Sequence, residues 1–358
     1  MWVTISLILF YLLMPSLLIY LCRIFPALNK VGAVVLAYAV GLLAGNIGIF
    51  PTRSPRLREL LMNKAALPRD ELLPFFESGQ ITETDLMANQ IAFVQDMVIS
   101  IAIPLAIPLL LFSLDLRKWL KLAKGALLSL ILAMVSLLAS IFSGYYLLAG
   151  NITDSWKIAG MVIGVYTGGT PNLAAIGTAL DVRPDTFILT HTYDLIIGAV
   201  ALLFLMTFAQ RLFNSFLPRF SDVHKADQFK DMSAEYSHME DYGQLLSKKE
   251  TPRWLKALGL SIIIFAVAGG IGFLVPESAR LVTIILLITT LGLAASLFKP
   301  VNRMKSSFPL GMYLILVFSL SVASMSNLSE MFQIKFMMLF LFVLWVVFGS
   351  MLIHVGLS

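Results

Sequence analysis

This sequence predicts an all-α polytopic membrane protein, and three observations carry that reading. Hydrophobic residues fill 58% of the 358 positions and charged residues 13%, where a soluble domain carries roughly 25% charged residues. The mean hydropathy is +0.87. The apolar residues gather into ten runs, most of them about 20 residues long, enough to cross a hydrocarbon core of roughly 30 Å as helices.

Taken in order, the first run, 2–22, has no basic leader and no small-residue cleavage site, so it reads as a retained span. Run 31–50 carries Gly41, Gly45 and Asn46, a face of small residues suited to helix packing. Residues 51–88 mix charges of both signs and predict a solvated connector with a short surface helix. Run 89–113 contains Pro104 and Pro108, which lack N–H donors and predict a bend. Runs 124–149, 157–180 and 186–208 complete a first membrane repeat, residues 1–208. A charged linker follows at 209–253, and runs 254–275, 281–299, 309–327 and 331–353 form a second repeat, 254–358. The one cysteine, Cys22, excludes an intramolecular disulfide and a cysteine-cluster metal site. Asn151 and Asn327 head N-x-S/T triplets, a pattern common by chance.

Run 157–180 departs from the others. Its stretch VYTGGTPNLAAIGTAL (165–180) places Gly168, Gly169, Pro171 and Asn172 together. The glycines permit backbone angles other residues avoid, and the proline cannot continue the hydrogen-bond ladder. Lipid cannot satisfy the freed backbone groups, so the break must be buried in protein or line a wet cavity. The bland alternative is a kink packed on a neighbour, since Gly and Pro are frequent in membrane helices. On the functional reading, the segment from Asn172 to Leu180 begins as a helix N-terminus at mid-depth, suited to a carboxylate. Gly168, Gly169, Thr170 and Asn172 are then the predicted substrate-binding residues, and Thr167 with the carbonyls of 165–169 offers oxygens to a coupling Na⁺.

Asp194 lies about eight residues into run 186–208, about 12 Å deep at roughly 1.5 Å per residue. An ionisable group at that depth is either paired or used for ions or protons. Thr190 and His191 share its helical face. Asp194 is the predicted coupling-ion residue, and Asp96, with Asn89 and Gln90 on preceding turns, is a second candidate. His191 by itself reads as a satisfied helix residue.

The distribution of charge bears on topology. If 157–180 enters and returns as a hairpin, the basic segments 23–30, 117–124, 209–253 and 299–305 fall on one side, carrying most of the 26 Lys and Arg. The positive-inside rule favours that arrangement, with the N-terminus outside and the linker cytoplasmic, in a cell inner membrane or plasma membrane. The first half then has five spans plus a re-entrant element, and the second half starts from the opposite face, as in inverted-repeat secondary transporters. Two echoes fit: GLLAGN (41–46) with GLAASL (292–297), and PLAIPLLLFSL (104–114) with PLGMYLILVFSL (309–320). Carrying the second offset forward places the partner of the Gly-Gly element beyond Ser358, which predicts a second repeat truncated at its C-terminal side.

LAIPLLLFSLDLRKW (105–119), YTGGTPNLAAIGTAL and the aspartate of HTYDLI (191–196) occur together and in order. This set resembles the YjcL-like family of uncharacterised bacterial integral membrane proteins, over most of the chain. That family resembles inverted-repeat carriers such as sodium/glutamate symporters, citrate carriers and sodium/proton antiporters. The resemblance matches Gly168, Gly169 and Asn172 to the motif, and the family's second Gly-Gly element is absent here.

There is no H-E-x-x-H, Walker A, G-x-S-x-G or G-x-G-x-x-G sequence, so no enzyme is predicted. His224 and His238, in the linker, lack metal-ligand spacing. The net charge of +5 is accounted for by membrane orientation, not nucleic acid. The expectation is a secondary transporter of a small solute, an organic anion or amino acid, coupled to Na⁺ or H⁺. It would have no other cofactor, with lipid and, by analogy, a second copy as partners. The alternatives are a cation/proton antiporter, or a non-transporting scaffold or regulatory subunit.

Overall fold

The computed structural model describes residues 2–61, 66–114, 127–205, 209–213, 242, 245, 251–325 and 336–357, and all regular structure among them is helical. The basic loop 117–124, most of the linker 209–253 and Asn327 lie outside the described residues. The first half contains α1 (Trp2–Ile24), α2 (Ala33–Asn46), α3 (Glu83–Phe112), α4 (Leu127–Leu148), the broken helix α5 (Ser155–Ala179) and α6 (Pro184–Phe204). The second contains α7 (Thr251–Gly272), α8 (Glu277–Ser296), α9 (Ser307–Ser324) and α10 (Met337–Leu357). Seven of these, α1, α3, α4, α7, α8, α9 and α10, are long and apolar enough to cross a membrane.

Two elements differ from the sequence expectation in length. The run at 31–50 yields a helix of only 14 residues, about 21 Å at roughly 1.5 Å per residue, short of a full crossing. Its end is fixed locally: the Asn46 side-chain amide donates to the Leu42 carbonyl, and Gly48 turns the chain at φ 83°. Conversely, α3 begins well before the apolar run and reaches 30 residues. A reciprocal cap explains this, because Thr82 accepts from the Asp85 N–H while Asp85 accepts from the Thr82 N–H. The connector before it contains two short helices, Pro55–Leu61 and Arg69–Glu77, closed over their own core of Leu57, Leu61, Leu67, Leu72 and Ile81.

The centre of the bundle is α9, where Ile315, Leu316, Leu320 and Ala323 are fully buried. Its neighbours are α1, α2 and α3, while α3 in turn packs on α7, α8 and α9. α3 and α9 run antiparallel, since Asn302, just before α9, donates to the Leu114 carbonyl while Ser324, at its far end, meets Gln95. α4 pairs with α10. Packing therefore crosses between the halves, with α2 of the first lying on α9 and α8 of the second on α3. The echo segments of the sequence are the two crossing helices, α3 and α9. Gly41 and Gly45 let α2 lie directly on α9: a Cβ there would sit 2.4 Å from the Leu320 carbonyl oxygen and 2.3 Å from that of Ser324. Outward faces stay apolar, as at Leu128, Leu147, Ile263 and Leu286, which suits helices bathed in hydrocarbon.

Candidate functional site

The break in α5 is at Gly169, whose φ of 72° and ψ of −164° belong to a region essentially restricted to glycine. The chain does not continue in line beyond it. Lys157 donates from Nζ to the Asp181 carbonyl at 2.8 Å, and a Cβ on Gly160 would meet the Leu180 side chain at 2.7 Å. In an unbroken helix residues 157 and 181 would stand about 36 Å apart. The element is a helical hairpin. Its arms, 155–168 and 170–179, are about 20 Å and 14 Å long, and neither alone crosses a bilayer. Both feet lie at one end of the bundle, so the chain leaves the opposite end after α3 and again after α6.

At the tip, Gly168 is required by its neighbour. A Cβ there would fall 2.0 Å from the Asn172 side-chain nitrogen, so the amide of Asn172 lies in the space the glycine leaves open. Thr167 donates to the carbonyls of Ile163 and Gly164, within its own helix. Thr167, Gly168, Gly169 and Asn172 are exposed, and Thr170 is partly covered.

One turn before the tip, the structure assembles a buried polar cluster. Asp194, on α6, is 9% exposed and His191 2%. Their side chains approach to 3.6 Å, Nδ1 to Oδ2, too long for a hydrogen bond. Tyr166, from the first arm of the hairpin, sets its hydroxyl beside the Asp194 carboxylate. Tyr38, from α2, stacks on the His191 ring with centroids 4.7 Å apart and a 59° tilt, and its hydroxyl lies beside Ser319 of α9. Four atoms of this cluster are buried without a well-formed hydrogen bond: both ring nitrogens of His191, and the hydroxyl oxygens of Tyr38 and Tyr166, which have Ser319 and Asp194 beside them. Thr190 and Ser319, by contrast, are satisfied by the carbonyls of Thr186 and Ile315. Native interiors leave few such groups unpaired, and each normally costs about 1–3 kcal/mol. Asp194 lies ten residues inside α6, about 15 Å from its start and so near the middle of a roughly 30 Å core.

Of the residues singled out from sequence, the structure brings Asp194 and the hairpin together through Tyr166. Asp96 is not part of this cluster. It is exposed on α3 and faces Asp181 at the foot of the hairpin. Its companions are tied elsewhere: Asn89 pairs with the backbone N–H and carbonyl of Leu67, and Gln90 donates to Thr4. Tyr38, Tyr166 and Ser319 were not singled out. They are ordinary residues of apolar runs, and only packing across the chain gives them a shared role. Among the described residues no three His, Cys, Asp or Glu side chains converge on a metal-sized site.

A family model described as a protein of unknown function, DUF819, matches residues 72–358. The chain belongs to the DUF819 family. The uncharacterized membrane protein YjcL of Bacillus subtilis (strain 168) is similar to it at 30% identity over 118 residues, a stretch covering 30% of each chain. No solved structure matches the chain. The DUF819 match takes in the hairpin, Asp194 and Ser319, while Tyr38 lies before it. The protein is thus a multi-pass membrane protein of an uncharacterised family.

Proposed function

We propose that this DUF819 protein is an ion-coupled secondary transporter of a small solute, an organic anion or amino acid, and not an enzyme. The observation that carries the reading is the hairpin broken at Gly169, packed beside a buried carboxylate whose polar neighbours lack partners. A discontinuous helix at mid-membrane beside ionisable groups is how many carriers present backbone ends to solute and ion. The hairpin's second arm would offer Gly168, Gly169, Thr170 and Asn172 to the solute. Thr167 and Asp194 would serve the ion, and Asp96 at the hairpin foot would stand on its path.

The basic segments leave the bundle where α1, α3 and α6 end, and that end is assigned to the cytoplasm, with the N-terminus outside. A bacterial inner or plasma membrane is the setting this implies. Cation/proton exchange is the second reading, favoured by the imidazole set against Asp194.

The test is uptake by reconstituted vesicles of radiolabelled carboxylates and amino acids, under imposed Na⁺ and H⁺ gradients in turn. Gradient-driven accumulation of any solute, lost in Asn172→Ala, supports symport. Cation flux without solute points to exchange. Absence of both, in protein that remains folded, would leave a scaffold.

A further inference from the structure

We propose that His191, Asp194 and the hydroxyls of Tyr38 and Tyr166 form a proton-binding site within the first half of the chain, set against α9 of the second, which takes up H⁺ and not Na⁺. That this proton drives transport rests on the reading above; that the site binds it does not.

The donor set decides between the two ions. Hard cations are held by several converging oxygens. Two of the four orphaned atoms here are imidazole nitrogens, and imidazole is the side chain that exchanges protons near neutrality. The backbone break that would supply carbonyls lies at the exposed tip around Gly169, beyond this cluster. In the neutral imidazole one nitrogen carries a hydrogen and the other a lone pair, and neither is engaged. Uptake of one proton at the free nitrogen makes both nitrogens donors. Nδ1 then has the Asp194 carboxylate 3.6 Å away, and a small closing movement turns that approach into a charge-assisted bond. No bond to carbon changes and no other reactant is consumed.

The surroundings leave the proton few other places to go. α2 presents Tyr38, the hairpin presents Tyr166, and α9 presents Ser319, already donating to Ile315. α10 runs parallel to α6, with Phe340 against Tyr193 and Phe348 against Phe204. Its titratable residue, His354, therefore lies about 21 Å further along than Phe340. Lys157, Asp181 and Arg183 sit at the foot of the hairpin, Arg183 about 12 Å back along α6 from His191. Because Tyr38 stacks on His191 while Tyr166 flanks Asp194, occupancy of the site alters how α6 and the hairpin seat against α2 and α9.

The experiment is a histidine-selective ¹³C NMR titration of the whole chain in detergent. Only four imidazoles report, and His191→Gln assigns the signal. The expected result is a single reversible protonation step at His191 in folded protein, unchanged when Na⁺ replaces K⁺ at constant ionic strength. Asp194→Asn displaces the His191 signal at fixed pH, because the carboxylate 3.6 Å from Nδ1 is gone. Tyr166→Phe, which keeps the carbon packing, displaces it less and provides the comparison if the aspartate variant does not fold. A Na⁺-dependent shift of the His191 signal at fixed pH would overturn the proposal. So would a His191 signal that stays silent until the protein unfolds, or one indifferent to both substitutions. A titrating His191 in protein without gradient-driven flux retains the proton site and removes only the transport reading.

Discussion

Two polar clusters lie little more than one turn apart along the face of α9, and they are built on opposite principles. Around Ser321 and Ser324 every side chain is engaged. Gln95 donates to Tyr11 at 2.8 Å and to Ser324 at 2.9 Å, Tyr11 and Ser324 meet at 2.6 Å, and Ser321 donates to the Gln95 carbonyl. Around Ser319 the larger polar groups, Tyr38, Tyr166 and His191, leave four atoms unpaired. A satisfied network fixes one arrangement of α1, α3 and α9, because any slip leaves buried donors unpaired. An unsatisfied one holds free energy that a bound proton or solute can release. The first cluster is a lock between the halves, and the second, on the reading proposed above, is a receptor.

The contrast is broken most severely by substitutions that act on one cluster alone. Asp194→Asn keeps the size of the side chain and removes the charge, so stability in detergent should change by no more than about 1 kcal/mol. Gradient-driven flux in vesicles should fall about a hundredfold or more, equivalent to roughly 2.8 kcal/mol. A variant that transports normally would return Asp194 to a structural role. Gly45→Ala should do the reverse. Its Cβ would sit 2.3 Å from the Ser324 carbonyl oxygen, and main chain cannot yield there without parting α2 from α9. The expected cost is about 2–3 kcal/mol of stability, read as a lower unfolding midpoint in denaturant. An unchanged midpoint would show that α2 and α9 are less closely held than this contact requires.

The same contrast marks how far the sequence could be read. Long apolar runs, the Gly-Gly break and a deep aspartate are local signals, and each corresponds to a helix, the hairpin turn or a buried carboxylate. Even the exchanged packing of the halves had a trace, in the echo of residues 104–114 by 309–320. The clusters themselves left none. Asp96 stood out because it is charged, yet the neighbouring Gln95 is the residue that enters the core. Adjacent positions on a helix point about 100° apart, and an amphipathic pattern is too weak in a membrane helix to say which faces inward. Tyr38 and Tyr166 were hidden for another reason. A tyrosine in an apolar run looks like packing until the helix that faces it is known, and the groups that face Tyr38, namely His191 and Ser319, come from more than 100 residues away. His191 read as satisfied, and only the packing of α2 and α9 against α6 shows that it is not.

The smaller effects separate lock from receptor most cleanly, because they remove single hydrogen-bonding groups. Gln95→Leu strands Tyr11 and Ser324 and should cost about 1–2 kcal/mol, near the upper range for polar contacts between membrane helices. Tyr38→Phe removes a hydroxyl that has no well-formed hydrogen bond to lose. Its ring still stacks on His191, so the packing is preserved, and the buried oxygen that required desolvation is gone. Stability should therefore stay within about 0.5 kcal/mol of the parent or rise slightly, measured as the unfolding midpoint beside Gln95→Leu in the same detergent. Equal losses in the two variants would mean that the Tyr38 hydroxyl is in fact bonded in the resting protein. The cluster around Asp194 would then be a second lock, and the case for a receptor would rest on His191 alone.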